Sequence, residues 1–117
     1  MMRAVAESEM ASGADLRRMA LALAGTSEAP HFERAAFKVT RIYVTLAADG
    51  RTANFKFSPD EQEFKCMMAP AAFAPVPGGW GAQGWTTATL SAMSAAQLKD
   101  ALEMAWRHAV PKKKSRR

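Results

Sequence analysis

The sequence predicts an α+β fold in which an antiparallel β-sheet carries its helices on one face. Three segments in the first half alternate apolar and polar side chains at the period of a strand. An Asp49-Gly50 pair, which tight hairpin turns favour, separates the last two of these segments. Helical periodicity occurs before and after the strands, without the strand–helix–strand alternation that is typical of a parallel sheet.

The first helix is predicted from Ala14 onward. Its apolar residues recur at spacings of three and four, which places them on one helical face: Leu16, Met19, Ala20 and Leu23. Gly25 lies where a helix commonly ends. Residues 1–13 show no such pattern, and we expect them to form a flexible leader.

An antiparallel meander is predicted next, with strands at about residues 36–40, 41–47 and 51–57. Pro30 excludes a helix just before it. The apolar members of the three strands are Phe37 and Val39, then Ile42, Val44 and Leu46, then Phe55 and Phe57. The Asp49-Gly50 pair would form the turn between the second and third strands.

A second helix is predicted after Ser58, which would cap it. Pro59 suits the first helical position, and Glu61 completes a capping box with the serine. The apolar face of this helix would consist of Phe64, Met67 and Met68. Pro70 would end the helix.

The last third of the chain predicts a loop, a strand and a helix. The loop, P-V-P-G-G-W-G-A-Q-G-W-T, spans residues 75–86. Strand formers at 85–90 predict a fourth strand. Ser94 and Gln97 then have the spacing of a second capping box. The apolar face of the final helix would consist of Leu98, Ala101, Leu102, Ala105 and Trp106.

The basic charge of the chain is concentrated at its C-terminal end. The net charge is +5, and five of the sixteen Lys and Arg lie in the last six residues, K-K-K-S-R-R. The basic residues that remain balance the acidic ones, so residues 1–111 are formally neutral. We expect residues 14–111 to form a single domain and residues 112–117 to form a disordered basic tail.

The composition also indicates where the protein resides. A single cysteine excludes an intramolecular disulfide, which fits a reducing compartment. No run of about 18 apolar residues is present, so we expect no membrane span. The N-terminal segment carries acidic residues where a signal peptide needs an apolar core. We therefore expect a cytoplasmic protein.

Motifs for enzymatic chemistry are missing. The sequence has no glycine-rich nucleotide loop and no G-x-S-x-G, and one cysteine with two distant histidines cannot build a zinc site. We therefore expect a protein that is not an enzyme and needs no cofactor or metal. Cys66 is expected to be a buried, unreactive thiol. His31 is expected to be hydrogen-bonded at a strand entrance rather than catalytic.

The glycine-rich loop supplies the candidate contacts for a small ligand or a protein partner. They are Trp80, Gln83 and Trp85, and His31 is added to them. The alternative is that the two tryptophans fold back as core side chains. We favour the core position for Trp85, because it leads into a strand, and leave both alternatives open for Trp80.

Four stretches resemble the MmcQ/YjbR-like family of small bacterial proteins. They are L-A-L-A-G-T-S-E-A-P-H-F-E-R-A-A-F-K-V, D-G-R-T-A-N-F-K, P-G-G-W-G-A-Q-G-W-T and the closing helix with Trp106. The resemblance covers about residues 14–111 and implies a fold like the double-wing DNA-binding domain of the phage transcription factor MotA. It brings no catalytic residues. One departure is Thr40-Arg41, at a turn where many members have glycine.

The resemblance implies weak, largely electrostatic binding of double-stranded DNA. Candidate contacts in the domain are Lys38, Arg41, Arg51 and Lys56, with the Asp49-Gly50 hairpin as a wing. Candidate contacts in the tail are Lys112, Lys113, Lys114, Arg116 and Arg117. The alternative function is a non-enzymatic ligand-binding or protein-interaction module that uses the Trp80 and Trp85 loop. In either case we expect a monomer.

Overall fold

The structure, a computed structural model, describes residues 10–111 of the chain. These residues contain six antiparallel strands and four α-helices. The strands are β1 (Ser27–His31), β2 (Arg34–Lys38), β3 (Ile42–Leu46), β4 (Thr52–Lys56), β5 (Phe73–Pro75) and β6 (Trp85–Thr89). The helices are α1 (Gly13–Ala22), α2 (Pro59–Met68), α3 (Gly79–Ala82) and α4 (Ala95–Ala109). The sheet order is β1-β2-β3-β4-β6-β5. The predicted α+β class is therefore confirmed. No helix in this part of the chain is long and apolar enough to cross a membrane.

The core lies between one face of the sheet and the helices α1 and α4. Alternate residues of the central strands point into it, among them the fully buried Phe37, Val44 and Phe55. Helix α4 packs against β3, β4 and α1. It contributes Leu98, Ala101, Leu102, Ala105 and Ala109 to the core. The predicted apolar face of the final helix is thus the face that packs.

Three helices begin with the same reciprocal cap. Ser12, Ser58 and Ser94 each accept a hydrogen bond from the backbone N–H three residues on, and the side chain at that position accepts one from the serine N–H. The fold starts earlier in the chain than predicted. Ser12 caps α1, and the Ala11 N–H just before it donates a hydrogen bond to the Met93 carbonyl. The predicted leader is therefore too long, because residues 10–13 are ordered parts of the fold. Its remainder, residues 1–9, lies outside the described residues.

Two edge strands differ from the prediction. Strand β1 pairs with β2 through Pro30, in the segment where the sequence predicted no strand. Proline is tolerated there because an edge strand has one row of backbone groups without a ladder partner. As a result β2 starts at Arg34, two residues before the predicted meander. Strand β5, which pairs with β6, was also unpredicted because it has only three residues.

Helix α2 turns its apolar face toward solvent. Its apolar residues Phe64, Met67 and Met68 are 53%, 67% and 65% exposed, and no residue of the helix is fully buried. The opposite side attaches through polar contacts: Lys65 pairs with Asp100 of α4, and the Gln62 amide donates to two backbone carbonyls of the β5–β6 loop. The three residues of the predicted apolar face therefore lie away from the core, and the helix contacts the domain through these polar groups and through Cys66.

A further polar contact joins the start of α2 to the end of α4. His108 Nε2 lies 2.7 Å from Glu61 Oε1. Burial raises the pKa of the Glu61 carboxyl, but hydrogen bonds from the Ser58 N–H and from His108 outweigh it, so the net pKa lies below the ordinary value. The C-terminal end of the last helix is therefore held against the N-terminal turn of α2.

Candidate functional site

The candidate site lies on the face of the sheet opposite α1 and α4. On this face Asn54 of β4 lies between its cross-strand neighbours, Thr45 of β3 and Thr87 of β6. Paired residues of neighbouring strands share a face. The residues on either side of Asn54, Ala53 and Phe55, are fully buried in the core. We call the surface that carries Asn54 the open face.

A groove of about 290 Å³ crosses the open face. Its aromatic lining consists of His31, Phe32, Trp80 and Trp85, and its polar lining of Arg34, Thr45 and Asn54. These side chains come from the β1–β2 hairpin, from β3, β4 and β6, and from the β5–β6 loop. The fold therefore brings together three of the four predicted ligand contacts, namely His31, Trp80 and Trp85.

The two loop tryptophans both belong to the groove. Trp80, on the short helix α3, is 63% exposed. Trp85 is half-buried, and the fully buried residues of β6 are the alternate ones, Thr86 and Ala88. Because strand residues alternate between faces, Trp85 lies on the open face. The predicted core position of Trp85 is therefore wrong.

Phe32 is the most unusual residue of the groove. It lies at the tip of the β1–β2 hairpin, where His31 pairs with Arg34 across the turn. Its φ is 58°, in the left-handed region that favours glycine, and it is the one non-glycine residue with a positive φ among residues 10–111. Its ring is 92% exposed and contacts the edge of His31, with ring centroids 4.8 Å apart. The backbone of the hairpin is therefore strained at a residue whose side chain is almost entirely exposed to solvent.

Arg34 brings a fixed positive charge to the groove. Its Nε donates to the Thr45 hydroxyl at 2.8 Å, and its Nη2 donates to the Thr45 carbonyl at 3.3 Å. Burial lowers the pKa of the guanidinium, and the carboxylate of Asp49 partly opposes this effect. An arginine stays protonated in proteins, so the charge remains. Two hydrogen bonds to one residue hold the guanidinium plane in place.

Asn54 supplies donors at the floor of the groove. Its Oδ1 accepts a hydrogen bond from the Thr87 hydroxyl at 2.8 Å, which fixes the orientation of the amide. Its Nδ2 has no hydrogen-bond partner among residues 10–111. Every buried side-chain nitrogen in that range has a partner, so Nδ2 is not buried. The amide nitrogen is therefore accessible, and it can donate hydrogen bonds to a ligand.

The β5–β6 loop is held tightly behind its exposed tryptophan. A Cβ added at Gly81 would lie 1.8 Å from the Val76 carbonyl oxygen. At Gly84, where φ is +107°, a Cβ would lie 1.9 Å from the Phe57 carbonyl oxygen. The Lys56 ammonium also donates to the Gln83 carbonyl at 2.8 Å. The glycines therefore serve close packing, and the loop is a rigid platform for Trp80.

Gln83, the fourth predicted ligand contact, lies apart from the groove lining. Its side chain is exposed at the end of α3, and its backbone carbonyl is the group that Lys56 contacts. The structure therefore places Gln83 in the scaffold of the loop.

The structure does not bring the predicted DNA contacts of the domain together. Lys38 and Arg41 lie at the β2–β3 turn, whereas Arg51 lies at the β3–β4 turn, at the other end of these strands. The Lys56 ammonium is occupied by two backbone carbonyls, at 3.2 and 2.8 Å. The predicted tail contacts, Lys112, Lys113, Lys114, Arg116 and Arg117, lie outside the described residues. The described domain therefore has no single basic patch built from these residues.

Two further features of the domain are less suited to recognition. A cleft of about 590 Å³ lies between the start of α1 and the β1–β2 hairpin, but its Arg17 and Glu28 already pair with each other at 2.9 Å. Cys66 is half-buried rather than buried as predicted, and burial raises the pKa of its thiol. Among the described residues, no group of three or more His, Cys, Asp or Glu is placed to hold a metal ion.

Sequence reasoning missed Phe32, Arg34 and Asn54. The first two were missed because β1 was missed: once His31 pairs with Arg34, the pair Phe32-Glu33 becomes a two-residue hairpin turn. Asn54 is the polar residue before Phe55 in the predicted third strand, and nothing else in its sequence context marks it. The alternation itself places Asn54 opposite the core, which was the available signal.

Comparison with known proteins gives the family. A model of the YjbR family matches residues 21–108. The chain belongs to the YjbR family. The resemblance to MmcQ/YjbR-like proteins is thereby confirmed, and the match spans all six strands, the whole of α2 and α3 and most of α4.

A solved structure of a YjbR-like protein shares the fold. The chain is similar to Deinococcus radiodurans protein DR2400, which contains the domain DUF419, with a TM-score of 0.71 and 24% sequence identity. The likeness covers 86% of this chain and 79% of that protein. No curated protein matches the chain. The fold is therefore shared with a family relative, and the function has to be argued from the groove.

Proposed function

We propose that the protein is a non-enzymatic binding module whose site is the groove on the open face. The observation that carries this proposal is the convergence of Trp80, Phe32 and Trp85 with the fixed donors of Arg34 and Asn54. Ligand sites typically combine apolar and aromatic walls with a few placed polar groups. The volume, about 290 Å³, suits a small ligand or one protruding side group of a larger partner.

A purely structural role does not account for these side chains. Trp80 and Phe32 are mostly exposed, so they contribute little burial to the fold. Phe32 also occupies a strained backbone position where glycine would be favoured. Exposed aromatic side chains around polar groups are instead typical of contact sites.

The test is to map binding of single-ring aromatic fragments by ¹H–¹⁵N NMR. We expect shifts at Arg34, Asn54 and the Trp80 indole, and we expect Trp80→Ala to abolish them while changing the free energy of unfolding by less than about 0.5 kcal/mol. Phe64→Ala is the matched control, because Phe64 is a similarly exposed aromatic residue on α2 outside the groove. Shifts that map elsewhere, or a large loss of stability in Trp80→Ala, would contradict the proposal.

Weak electrostatic binding of double-stranded DNA is a second candidate function. It is supported by the five cations in the last six residues and by the formal neutrality of residues 1–111. In a double-wing-like arrangement the β3–β4 hairpin with Arg51 would act as one wing. The tail would then supply affinity without sequence preference, since phosphate contacts carry no base information.

This second candidate is tested by titrating the full chain, and a chain that ends at residue 111, against duplex DNA at several salt concentrations. Five phosphate contacts at about 0.9 each predict that truncation flattens the log–log salt slope by up to about 4.5 units. Equal affinities of the two chains would exclude the tail. Arg51→Ala in the truncated chain then measures what the hairpin adds.

A further inference from the structure

We infer that the groove takes a flat conjugated ring with a carbonyl oxygen on its edge, the chemistry of a keto nucleobase such as uracil or thymine. This inference rests on the proposed function, and it adds the class of ligand. Such a ring can be free, as in a nucleoside, or presented by a single-stranded nucleic acid. The three properties that select it are the donors, the charge and the walls of the groove.

The donors of the groove call for an acceptor on the ligand. The Asn54 Oδ1 accepts a hydrogen bond from Thr87, and the Asn54 N–H groups, which have no partner among the described residues, can donate into the groove. The Arg34 side chain has no acceptor atom, and its contacts with Thr45 involve only Nε and Nη2. Both groups can therefore donate to a ligand oxygen, whereas an amino group at the same place would face another donor.

The polar groups of the groove fit two other ligand classes that aromatic sites bind less well. Aromatic cages bind quaternary ammonium groups, but the Arg34 cation would repel them. Sugars also stack on tryptophan, but their hydroxyl protons need acceptors. Among the described residues no Asp or Glu lines the groove. The donors of Arg34 and Asn54 are better matched by a neutral or anionic ring with edge oxygens.

The walls of the groove suit a planar ring. Trp80 and Phe32 stand on two different elements, α3 and the β1–β2 hairpin, and Trp85 lies beside them on β6. Aromatic side chains on the face of a sheet stack with bases, and each stacked base contributes measurable affinity. The groove volume of about 290 Å³ admits one base at a time.

Uridine and cytidine provide a matched pair of probes for this inference. Their rings have the same size and share the 2-carbonyl. They differ on one edge, where uridine has a 4-carbonyl and an N3–H and cytidine has a 4-amino group and an unprotonated N3. We infer that the 4-position faces the donors of Arg34 and Asn54. We therefore expect tryptophan fluorescence titrations of the unmodified protein to give at least about tenfold tighter binding of uridine, because the 4-amino group of cytidine would leave a donor facing these donors. Equal affinities for the two nucleosides would overturn the inference.

Asn54→Asp should reverse this preference. The substitution keeps the volume and the acceptor that Thr87 contacts, but it replaces the free donors by an acceptor. We expect the variant to bind cytidine better than uridine. A variant that folds, binds and still prefers uridine would overturn the role of Asn54. The comparison of probes on the unmodified chain stands even if the variant does not fold.

Oligonucleotides distinguish the two sources of the ring. If the base is presented by a strand, dT8 binds more than tenfold tighter than uridine and loses affinity with added salt. If the free base is the ligand, the two affinities agree. Both results support the inference, whereas equal binding of dT8 and dC8 overturns it. Binding of aromatic fragments in the groove without a preference for a carbonyl would support the proposed function and refute this inference. Failure of any ring to bind would refute both.

Discussion

At the scale of single residues, Phe32 is the clearest case of a side chain that the stability of the fold does not explain. A bulky side chain at φ 58° costs conformational energy, and burial cannot offset this cost because the ring is 92% exposed. Two-residue hairpin turns with a positive φ at the first position normally place glycine there. The position therefore holds a phenylalanine that the fold itself does not need.

We expect Phe32→Gly to be more stable than Phe32→Ala by about 1 kcal/mol. Both variants lose the ring, but only glycine relieves the left-handed backbone, whereas alanine keeps a Cβ in it. Urea denaturation of the two variants and the wild type measures this difference. Both variants should lose affinity for planar probes by similar factors. Equal stabilities would mean that the turn relaxes to a different backbone and that the strain is not retained in solution.

At the scale of elements, the β5–β6 loop is explained by two kinds of glycine. Gly81 and Gly84 allow the chain to pass close to backbone carbonyls, so no side chain fits at either position. An added Cβ at Gly78 or Gly79 would meet nothing within 4 Å. The loop is thus closely packed around Gly81 and Gly84 and has free space around Gly78 and Gly79. Trp80 lies between these two parts of the loop.

Gly81→Ala should destabilise the protein by about 3 kcal/mol, because its Cβ would overlap the Val76 carbonyl oxygen. Gly79→Ala, two residues away in the same helix, should change the free energy of unfolding by no more than about 1 kcal/mol and can increase it through helix propensity. Thermal and urea unfolding of both variants test this contrast. Similar effects of the two substitutions would show that the loop adapts and is not a rigid platform.

The elements that sequence reasoning predicted well are those with strong local signals. The capping boxes at Ser58 and Ser94 and the periodicity of the final helix depend on nearest neighbours, and they appear in the structure. The orientation of α2 could not be predicted, because its pairing of Lys65 with Asp100 joins residues far apart in sequence. The same holds for the site. His31, Trp80 and Trp85 were recognised singly, but their convergence depends on the register of β1 with β2 and of β4 with β6.

At the scale of the whole molecule, exposed aromatic and methionine side chains of the described residues cluster on two surfaces. One is the groove, where Phe32 and Trp80 flank Arg34 and Asn54. The other is the apolar face of α2, which consists of Phe64, Met67 and Met68 and so offers no polar side chain. Recognition of a specific ligand needs polar groups in set positions, so the first surface is the one suited to it.

We expect the protein to be a monomer despite the exposed face of α2. Three side chains that are half to two-thirds exposed present on the order of 300 Å² of apolar surface, whereas a stable interface buries about 800 Å² on each partner. Patches of this size occur on ordinary monomers. Sedimentation velocity over a tenfold or greater range of concentration should therefore give one constant monomer coefficient, and Phe64→Glu should leave it unchanged. A concentration-dependent dimer that Phe64→Glu dissociates would instead make α2 an interface between copies of the chain.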